Sequence, residues 1–93
     1  KQDFRFVFNI YSTAKRDGKK AVEMLRSVEQ NEEPIMFLGL LVSSALKDFA
    51  ARPNGVKERR ALEELSKTDL ELKTSSTQPW LLIESFLLRL SSL

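Results

Sequence analysis

The feature that most constrains this chain is an apolar segment close to its end, QPWLLIESFLLRL, which runs from Gln78 to Leu90. In a helix its apolar residues occupy nearly every side and leave room only for Glu84, Ser85 and Arg89. A helix that is apolar around its circumference is stable only when other elements cover it. We therefore expect this segment to lie in the middle of a helical core.

A second helical block, ALEELSKTDLELKT, precedes that segment between Ala61 and Thr74. Only a few polar or turn residues separate the two blocks. Helices joined by so short a connection fold back on each other, because their apolar faces cannot otherwise be buried. We expect an antiparallel pair, in which the last helix also faces the third helix and, through its remaining apolar surface, another subunit.

The first segment of the chain fits two periodicities. Alternation of Phe4, Phe6 and Phe8 suits a strand, whereas helical spacing joins Phe4, Val7, Phe8, Tyr11 and Ala14. No other segment resembles a strand, and a lone strand has nothing to pair with. We therefore predict a helix that begins between Asp3 and Val7, with Asp3 as its N-cap.

A second helix is predicted from Asp17, which can cap it, to about Gln30. Its apolar residues form one stripe of Ala21, Val22, Met24, Leu25 and Val28. A polar loop over residues 31–33 then leads to Pro34. Proline suits the first position of a helix, because its missing N–H is not needed there.

The third helix is predicted from Pro34 to about Ala51, and it is rich in apolar residues: Ile35, Phe37, Leu38, Leu40, Leu41, Val42, Ala45, Leu46 and Phe49. Its first half is apolar around most of its circumference, and polar residues return at Ser43, Ser44, Lys47 and Asp48. Gly39 lowers helix propensity by about 1 kcal/mol relative to Ala. We interpret this glycine as a point of close approach between helices.

The fourth helix is predicted over about Val56 to Thr74, after an Arg52-Pro53-Asn54-Gly55 break that is either a tight turn or the place of a lost connection. Its apolar stripe is Val56, Ala61, Leu62, Leu65 and Leu72, with Leu70 beside it. Asp69 and Lys73 have the spacing of a helical ion pair. The polar residues 75–78 offer a cap to a fifth helix that runs to about Ser91.

These segments predict an all-α fold, a small antiparallel bundle of about five helices, with residues 1–93 forming one domain. Both the third and the fifth helix have wide apolar faces, which favours burial against neighbouring subunits as well as within the domain. Seven residues are candidates for the subunit interface or for the core: Phe37, Leu41, Trp80, Ile83, Phe86, Leu87 and Leu90.

The composition argues against catalysis by this domain. There are no histidines and no cysteines, so the commonest general base and metal ligand and any thiolate site are missing. Glu63 and Glu64 are sequential and point different ways on a helix, and the three glycines form no phosphate-binding loop. We expect no catalytic residues, no metal and no cofactor.

The charge and hydropathy limit the partners and the location. Fifteen basic and thirteen acidic residues are mixed along the chain. Because phosphate binding needs basic residues gathered on one face, we do not expect this domain to contact DNA directly. No apolar run reaches the roughly 20 residues of a membrane span, and no signal peptide is visible. We expect a cytoplasmic domain at the C-terminal side of a longer protein.

The order of these motifs resembles the C-terminal domain of the DNA polymerase III delta subunit, a clamp-loader component. In the first half, a short helix that begins with an aromatic residue (Phe8 to Ala14) is followed by a charged turn (Arg16-Asp17) and a helix with an Ala…Leu pattern (Ala21 to Leu25). A polar loop that ends in Glu-Pro (Glu32-Glu33-Pro34) then leads to a leucine-rich helix (Phe37 to Leu46). In the second half it lies in Leu65, Asp69, Lys73-Thr74, Trp80, Glu84 and Leu87-Leu88-Arg89-Leu90.

The resemblance implies a helical collar domain that packs against the matching domains of the other loader subunits and holds a ring together. It implies a subunit that opens the sliding clamp through a different, N-terminal domain. The family has roughly one more helix with its loops where Arg52 to Gly55 stand here, so this member is trimmed or lacks residues there. The alternative is an unrelated helical adaptor that binds a partner's amphipathic helix in an apolar groove.

Overall fold

The computed structural model describes residues 4–93, and within that range it contains five α-helices and no strand. They are α1 (Phe4–Arg16), α2 (Gly18–Arg26), α3 (Pro34–Ala51), α4 (Val56–Thr74) and α5 (Pro79–Leu90). One 3-10 turn, Glu29–Asn31, lies between α2 and α3. The prediction of a small all-α bundle of five helices is confirmed.

The first segment is a helix, as its 3.6-residue periodicity predicted. The buried residues Val7, Ile10, Tyr11 and Ala14 lie along one side of α1. The side chains that suggested a strand, Phe4, Phe6 and Phe8, are partly buried in the helical arrangement. Asp3, the predicted N-cap, lies outside the described residues.

Side-chain caps and prolines define where three of the helices begin. The Asp17 carboxylate accepts a hydrogen bond from the Lys20 N–H at 3.2 Å, which confirms the predicted cap of α2. At α3 and α5 a side-chain oxygen precedes a proline at the first helical position. Glu33 accepts from the Met36 N–H at 2.9 Å, and Gln78 accepts from the Leu81 N–H at 3.1 Å.

The predicted extent of the second helix was wrong, because α2 ends at Arg26 rather than near Gln30. The Ser27 hydroxyl donates to the Met24 carbonyl at 2.7 Å, and the Val28 N–H donates to the Leu25 carbonyl at 3.0 Å. Both bonds span three residues instead of four, which tightens the last turn and ends the α-helical ladder.

The last two helices are antiparallel, since the end of α5 lies beside the beginning of α4. The Lys57 ammonium donates to the Ser91 carbonyl at 3.2 Å, and the Arg89 guanidinium pairs with Glu64 at 3.2 Å. However, α5 packs most extensively against α2 and α4, and it contacts α3 less. The expected contact of α5 with α3 is therefore present, and it includes the rings of Phe37 and Trp80, but it is smaller than the contacts with α2 and α4.

Two helices approach each other closely at Gly18, the first residue of α2. An added Cβ there would lie 2.6 Å from the Leu87 carbonyl oxygen and 2.8 Å from the Leu88 Cα. The backbones of α2 and α5 therefore touch at this point, and any side chain larger than hydrogen would clash. The core formed around this contact contains seventeen buried apolar residues: Val7, Ile10, Tyr11, Ala14, Ala21, Val22, Leu25, Phe37, Leu38, Leu41, Ala45, Ala61, Leu65, Ile83, Phe86, Leu87 and Leu90.

At a few positions the burial of the side chain is opposite to what the helical periodicity predicted. Ser44 and Asp48 are buried although they were expected among the polar positions of α3, whereas Val56 is 63% exposed although it was placed in the apolar stripe of α4. Ser44 satisfies its hydroxyl on the Leu40 carbonyl at 2.9 Å. Val56 is the first residue of α4, immediately after the turn, and most of its side chain is left uncovered there.

By length and composition α3 could also cross a membrane, with a mean hydropathy of 1.4 over its 18 residues. This corrects the expectation that no segment of the chain is long and apolar enough. A core helix of a soluble protein meets the same criterion, and α3 contributes Phe37, Leu38, Leu41 and Ala45 to the core of this bundle.

Candidate interaction surface

The outer side of α3 exposes large apolar side chains. Ile35, Met36 and Leu46 are 61%, 67% and 53% exposed, and Leu40 and Val42 are half-buried. We call these five residues, together with Gly39, the α3 surface. Other large apolar side chains that are about half exposed or more among residues 4–93 are distributed over α4 and α5: Val56, Leu70, Leu81 and Leu88.

The apolar composition of α3 explains why this surface exists. Phe37, Leu38, Leu41 and Ala45 face the core, and they use only one side of the helix. The remaining apolar residues must then point outward, because a helix cannot turn two opposite sides to the same core. The wide apolar face that the sequence predicted for α3 is therefore real, and part of it remains uncovered within the chain.

Gly39 lies on this outer side, and its predicted role was wrong. An added Cβ at Gly39 would meet no atom within 4 Å, so no helix of this chain approaches it. A glycine inside a helix lowers stability by about 1 kcal/mol relative to Ala. Packing within the chain does not require this glycine, whereas a partner's backbone could approach α3 closely at this position.

Two grooves flank the α3 surface and share Gly39 in their linings. The α3–α4 groove has a volume of about 510 Å³ and is lined by Gly39, Val42, Leu46, Leu62, Leu65, Ser66 and Asp69. The α1–α3 groove has a volume of about 660 Å³ and is lined by Phe4, Asn31, Glu32, Glu33, Met36, Phe37, Gly39, Leu40 and Ser43. Apolar walls with a few polar residues at the rim are typical of sites that bind a hydrophobic side chain or helix.

The seven residues that the sequence singled out lie inside the bundle instead of on this surface. Six of them are at most 1% exposed: Phe37, Leu41, Ile83, Phe86, Leu87 and Leu90. Trp80 is half-buried, and its ring meets the Phe37 ring edge-on, with 5.5 Å between the ring centroids. Within this chain, six of the seven residues therefore belong to the core and Trp80 packs against it.

The residues that do form the candidate surface were not selected from the sequence. Ile35, Met36 and Leu46 belong to the same apolar run as the core residues of α3, and residue type alone does not separate them. The position of Gly39 within that run was the one sequence signal that could have indicated an outward-facing contact surface. A glycine there is equally consistent with close packing between two helices of the same chain.

A buried ionic cluster ties together the ends of α1 and α3 and the beginning of α4. The Lys15 ammonium lies 2.6 Å from Asp48 and 2.8 Å from Glu58, and Arg52 lies 2.6 Å from the other oxygen of Asp48. Burial alone would lower the pKa of Lys15, but its hydrogen bonds to the two carboxylates raise it overall. The hydrogen bond from Lys15 lowers the pKa of Glu58, and burial together with both carboxylates raises the pKa of the buried Tyr11.

A second group of charges lies between the 3-10 turn and α5. Arg26 forms two hydrogen bonds with the buried Glu84 carboxylate, at 3.2 and 3.3 Å. Glu29 lies against the same carboxylate, and its buried Oε2 has no hydrogen-bond partner among the described residues. Burial raises the pKa of Glu29, and the charge of Glu84 raises it further.

The buried charges of both groups are paired with opposite charges from other helices. The buried carboxylates Asp48, Glu58 and Glu84 are each bonded to a cation from another part of the chain. No group of three Asp or Glu side chains within residues 4–93 converges as metal ligands would. What the described surface offers chemically is apolar contact, with carboxylates at the groove rims.

Comparison with known proteins identifies no relative: no family model, no curated protein and no solved structure matches this chain.

Proposed function

We propose that this chain is a non-catalytic helical assembly domain that binds other proteins through the α3 surface. The observation that supports the proposal is the exposure of Ile35, Met36 and Leu46 beside two apolar grooves. Complete burial of one such side chain contributes about 1.5–3 kcal/mol. A partner that covers all three would therefore gain several kcal/mol of binding free energy.

The resemblance to the delta subunit supplies the identity of the partner in this proposal. The matching helical domains of the other clamp-loader subunits would lie against α3, and the assembled ring would load sliding clamps in DNA replication. Contact with the sliding clamp itself would belong to another domain of the same subunit. The five-helix all-α fold is compatible with a collar domain of this kind.

The proposal can be tested by sedimentation velocity with a fragment that carries the collar domains of partner loader subunits. We expect a complex with the wild-type chain, and at least tenfold weaker binding for the Met36→Glu and Leu46→Glu variants, because each places a charge in the apolar contact. Leu81→Glu is the matched control, since Leu81 is 56% exposed on α5 and lines neither groove. A wild-type chain that stays monomeric with every loader subunit would contradict the proposal.

A second candidate function is that of an adaptor that binds one amphipathic helix, and the α3–α4 groove favours it. That groove lies between two long helices and has Val42, Leu46 and Leu62 on its walls. Helices that bind in such grooves insert apolar side chains spaced three and four residues apart. Titration with partner helices distinguishes the candidates: saturation at one helix per chain, without assembly of a ring, favours the adaptor.

A further inference from the structure

One end of the bundle collects basic residues that are dispersed along the sequence. At this end α1, α3 and α5 finish and α2 and α4 begin. The contact of Lys15 with Glu58, the approach of Gly18 to Leu88, and the hydrogen bond from Lys57 to the chain beyond α5 bring these five helix ends together. We call this region the basic end.

The basic end contains nine basic residues, which are Lys15, Arg16, Lys19, Lys20, Arg52, Lys57, Arg59, Arg60 and Arg89. Its helix ends contain three acidic residues, Asp17, Asp48 and Glu58, and a fourth, Glu64, reaches it by pairing with Arg89 at 3.2 Å. Among residues 4–93, the other five basic and eight acidic residues lie elsewhere. The formal charge of +2 therefore conceals a strongly positive end and a negative remainder.

Three of the four carboxylates at the basic end are paired with cations within the chain. Asp48 and Glu58 are buried and paired with Lys15, Asp48 also binds Arg52, and Glu64 pairs with Arg89. Asp17 caps the N-terminus of α2 and keeps its charge, because the N–H that donates to it is neutral. Asp17 is therefore the one carboxylate of this end that is not paired with a described cation.

Five of the nine basic side chains are exposed and form no ion pair with a described residue: Arg16, Lys19, Lys20, Arg59 and Arg60. By contrast, Lys67, Lys73 and Arg26, which lie outside the basic end, each pair with a carboxylate. Like charges held on neighbouring helix ends repel one another, and a polyanion that binds there relieves this repulsion.

The composition of the basic end fits phosphates better than other anions. Arginine forms bidentate hydrogen bonds with phosphate, and three of the five free cations are arginines. The end has no exposed aromatic ring on which an unpaired base could stack, which favours a duplex over a single strand. Its exposed large apolar side chains are limited to Val56 and Leu88, which offers little to insert into a membrane.

We infer that the basic end binds the phosphate backbone of a nucleic-acid duplex without regard to sequence. Contact with DNA is disfavoured when only the order of residues along the chain is considered, because basic and acidic residues are mixed there. The fold gathers many of the basic residues at one end of the bundle. This inference is independent of the proposed assembly function, since the α3 surface and the basic end share no residue.

The test is fluorescence anisotropy of a labelled 20-base-pair DNA duplex titrated with the chain. Five phosphate contacts give a slope of about −4.5 for the logarithm of the binding constant against that of the salt concentration. We therefore expect an approximately 10²- to 10³-fold loss of affinity between 50 and 200 mM salt. Arg59→Glu with Arg60→Glu should weaken binding at least tenfold at 50 mM and make that slope shallower by about 2.

Lys67→Glu with Lys73→Glu is the matched control, because it changes the net charge equally on side chains that are 72% and 63% exposed but lie outside the basic end. It should alter affinity by less than threefold. Should the arginine variant lose its helical circular dichroism, Lys19→Glu with Lys20→Glu replaces it at the same end. Met36→Glu, which tests the assembly proposal, should bind the duplex like the wild type.

Three results would overturn the inference. The first is no binding to the duplex at 50 mM salt. The second is an equal loss of affinity in the arginine variant and its control, which would mean that net charge alone acts. The third is tighter binding to phosphatidylserine vesicles than to the duplex, which would assign the basic end to a membrane surface.

Discussion

The two helical glycines of this protein should respond oppositely to the same substitution. Gly18→Ala adds a methyl group where two backbone atoms of α5 lie within 2.8 Å of it, whereas Gly39→Ala adds the same group where no atom lies within 4 Å. We expect the first variant to be less stable than the wild type and the second to be more stable.

The magnitudes follow from the atoms that surround each position. At Gly18 the clashing atoms are the Leu87 carbonyl oxygen and the Leu88 Cα, which are backbone and can yield only if α2 and α5 separate. Overpacking of this kind lowers the free energy of unfolding by about 1–3 kcal/mol. At Gly39 the gain in helix propensity is about 1 kcal/mol. For a domain of this size, 1 kcal/mol corresponds to a change of about 4–8 °C in Tm.

Thermal unfolding followed by circular dichroism at 222 nm measures both variants in one experiment. Gly18→Ala should lower Tm by about 5–20 °C, and Gly39→Ala should raise it by about 4–8 °C. Urea unfolding gives the same comparison as free energies. A Gly18→Ala variant as stable as the wild type, or a Gly39→Ala variant less stable than it, would refute the packing described for α2, α3 and α5.

Two further predictions concern the buried charges. Lys15→Met leaves two buried carboxylates without their common cation and should lower the free energy of unfolding by about 3 kcal/mol. Lys73→Met removes an exposed ion pair and should lower it by only a few tenths of a kcal/mol. Equal losses for the two variants in urea unfolding at pH 7 would contradict this prediction. Burial and the charge of Glu84 raise the pKa of Glu29 above the ordinary 4.5 in the folded protein. The unfolded state therefore releases this proton at a lower pH than the folded state does. The contribution of Glu29 to the free energy of unfolding is lost as pH rises from about 4.5 through the folded-state pKa. Glu29→Gln removes that loss, and its Tm should exceed that of the wild type at pH 7 and approach it at pH 4; a difference independent of pH would argue against the buried carboxylate.

Local sequence signals were sufficient to predict the helices. Pro34 and Pro79 each stand at the first position of a helix, and Asp17 caps another, because these residues act through backbone groups a few positions away. The bounds of α3 and α4 follow directly from such signals. The 3-10 turn Glu29–Asn31 escaped prediction because residue spacing does not show whether an N–H donates three or four positions back, and here the Asn31 N–H donates to the Val28 carbonyl at 2.9 Å.

Features that depend on distant residues could not be predicted in the same way. Asp48 is buried because Lys15, 33 residues earlier, neutralises it, and spacing within α3 contains no information about that partner. Gly18 stands at a predicted helix start and Gly39 inside a predicted helix, but neither position shows which glycine another backbone approaches. Only the packing of α5 against α2 shows that it is Gly18. The exposed apolar residues of the α3 surface likewise become recognisable only after the core has been assigned to other positions.

The turn between α3 and α4 affects how the chain length of this fold can vary. Residues 52–54 are exposed, and the turn is closed by a hydrogen bond from the Gly55 N–H to the Arg52 carbonyl at 2.9 Å. The flanking helix ends are held together independently by Lys15, which binds Asp48 on one side and Glu58 on the other. Lengthening a flexible connection costs only about 0.6 kcal/mol for each doubling, because loop-closure entropy grows with the logarithm of its length. A chain with an additional segment at this turn can therefore retain the same five-helix core.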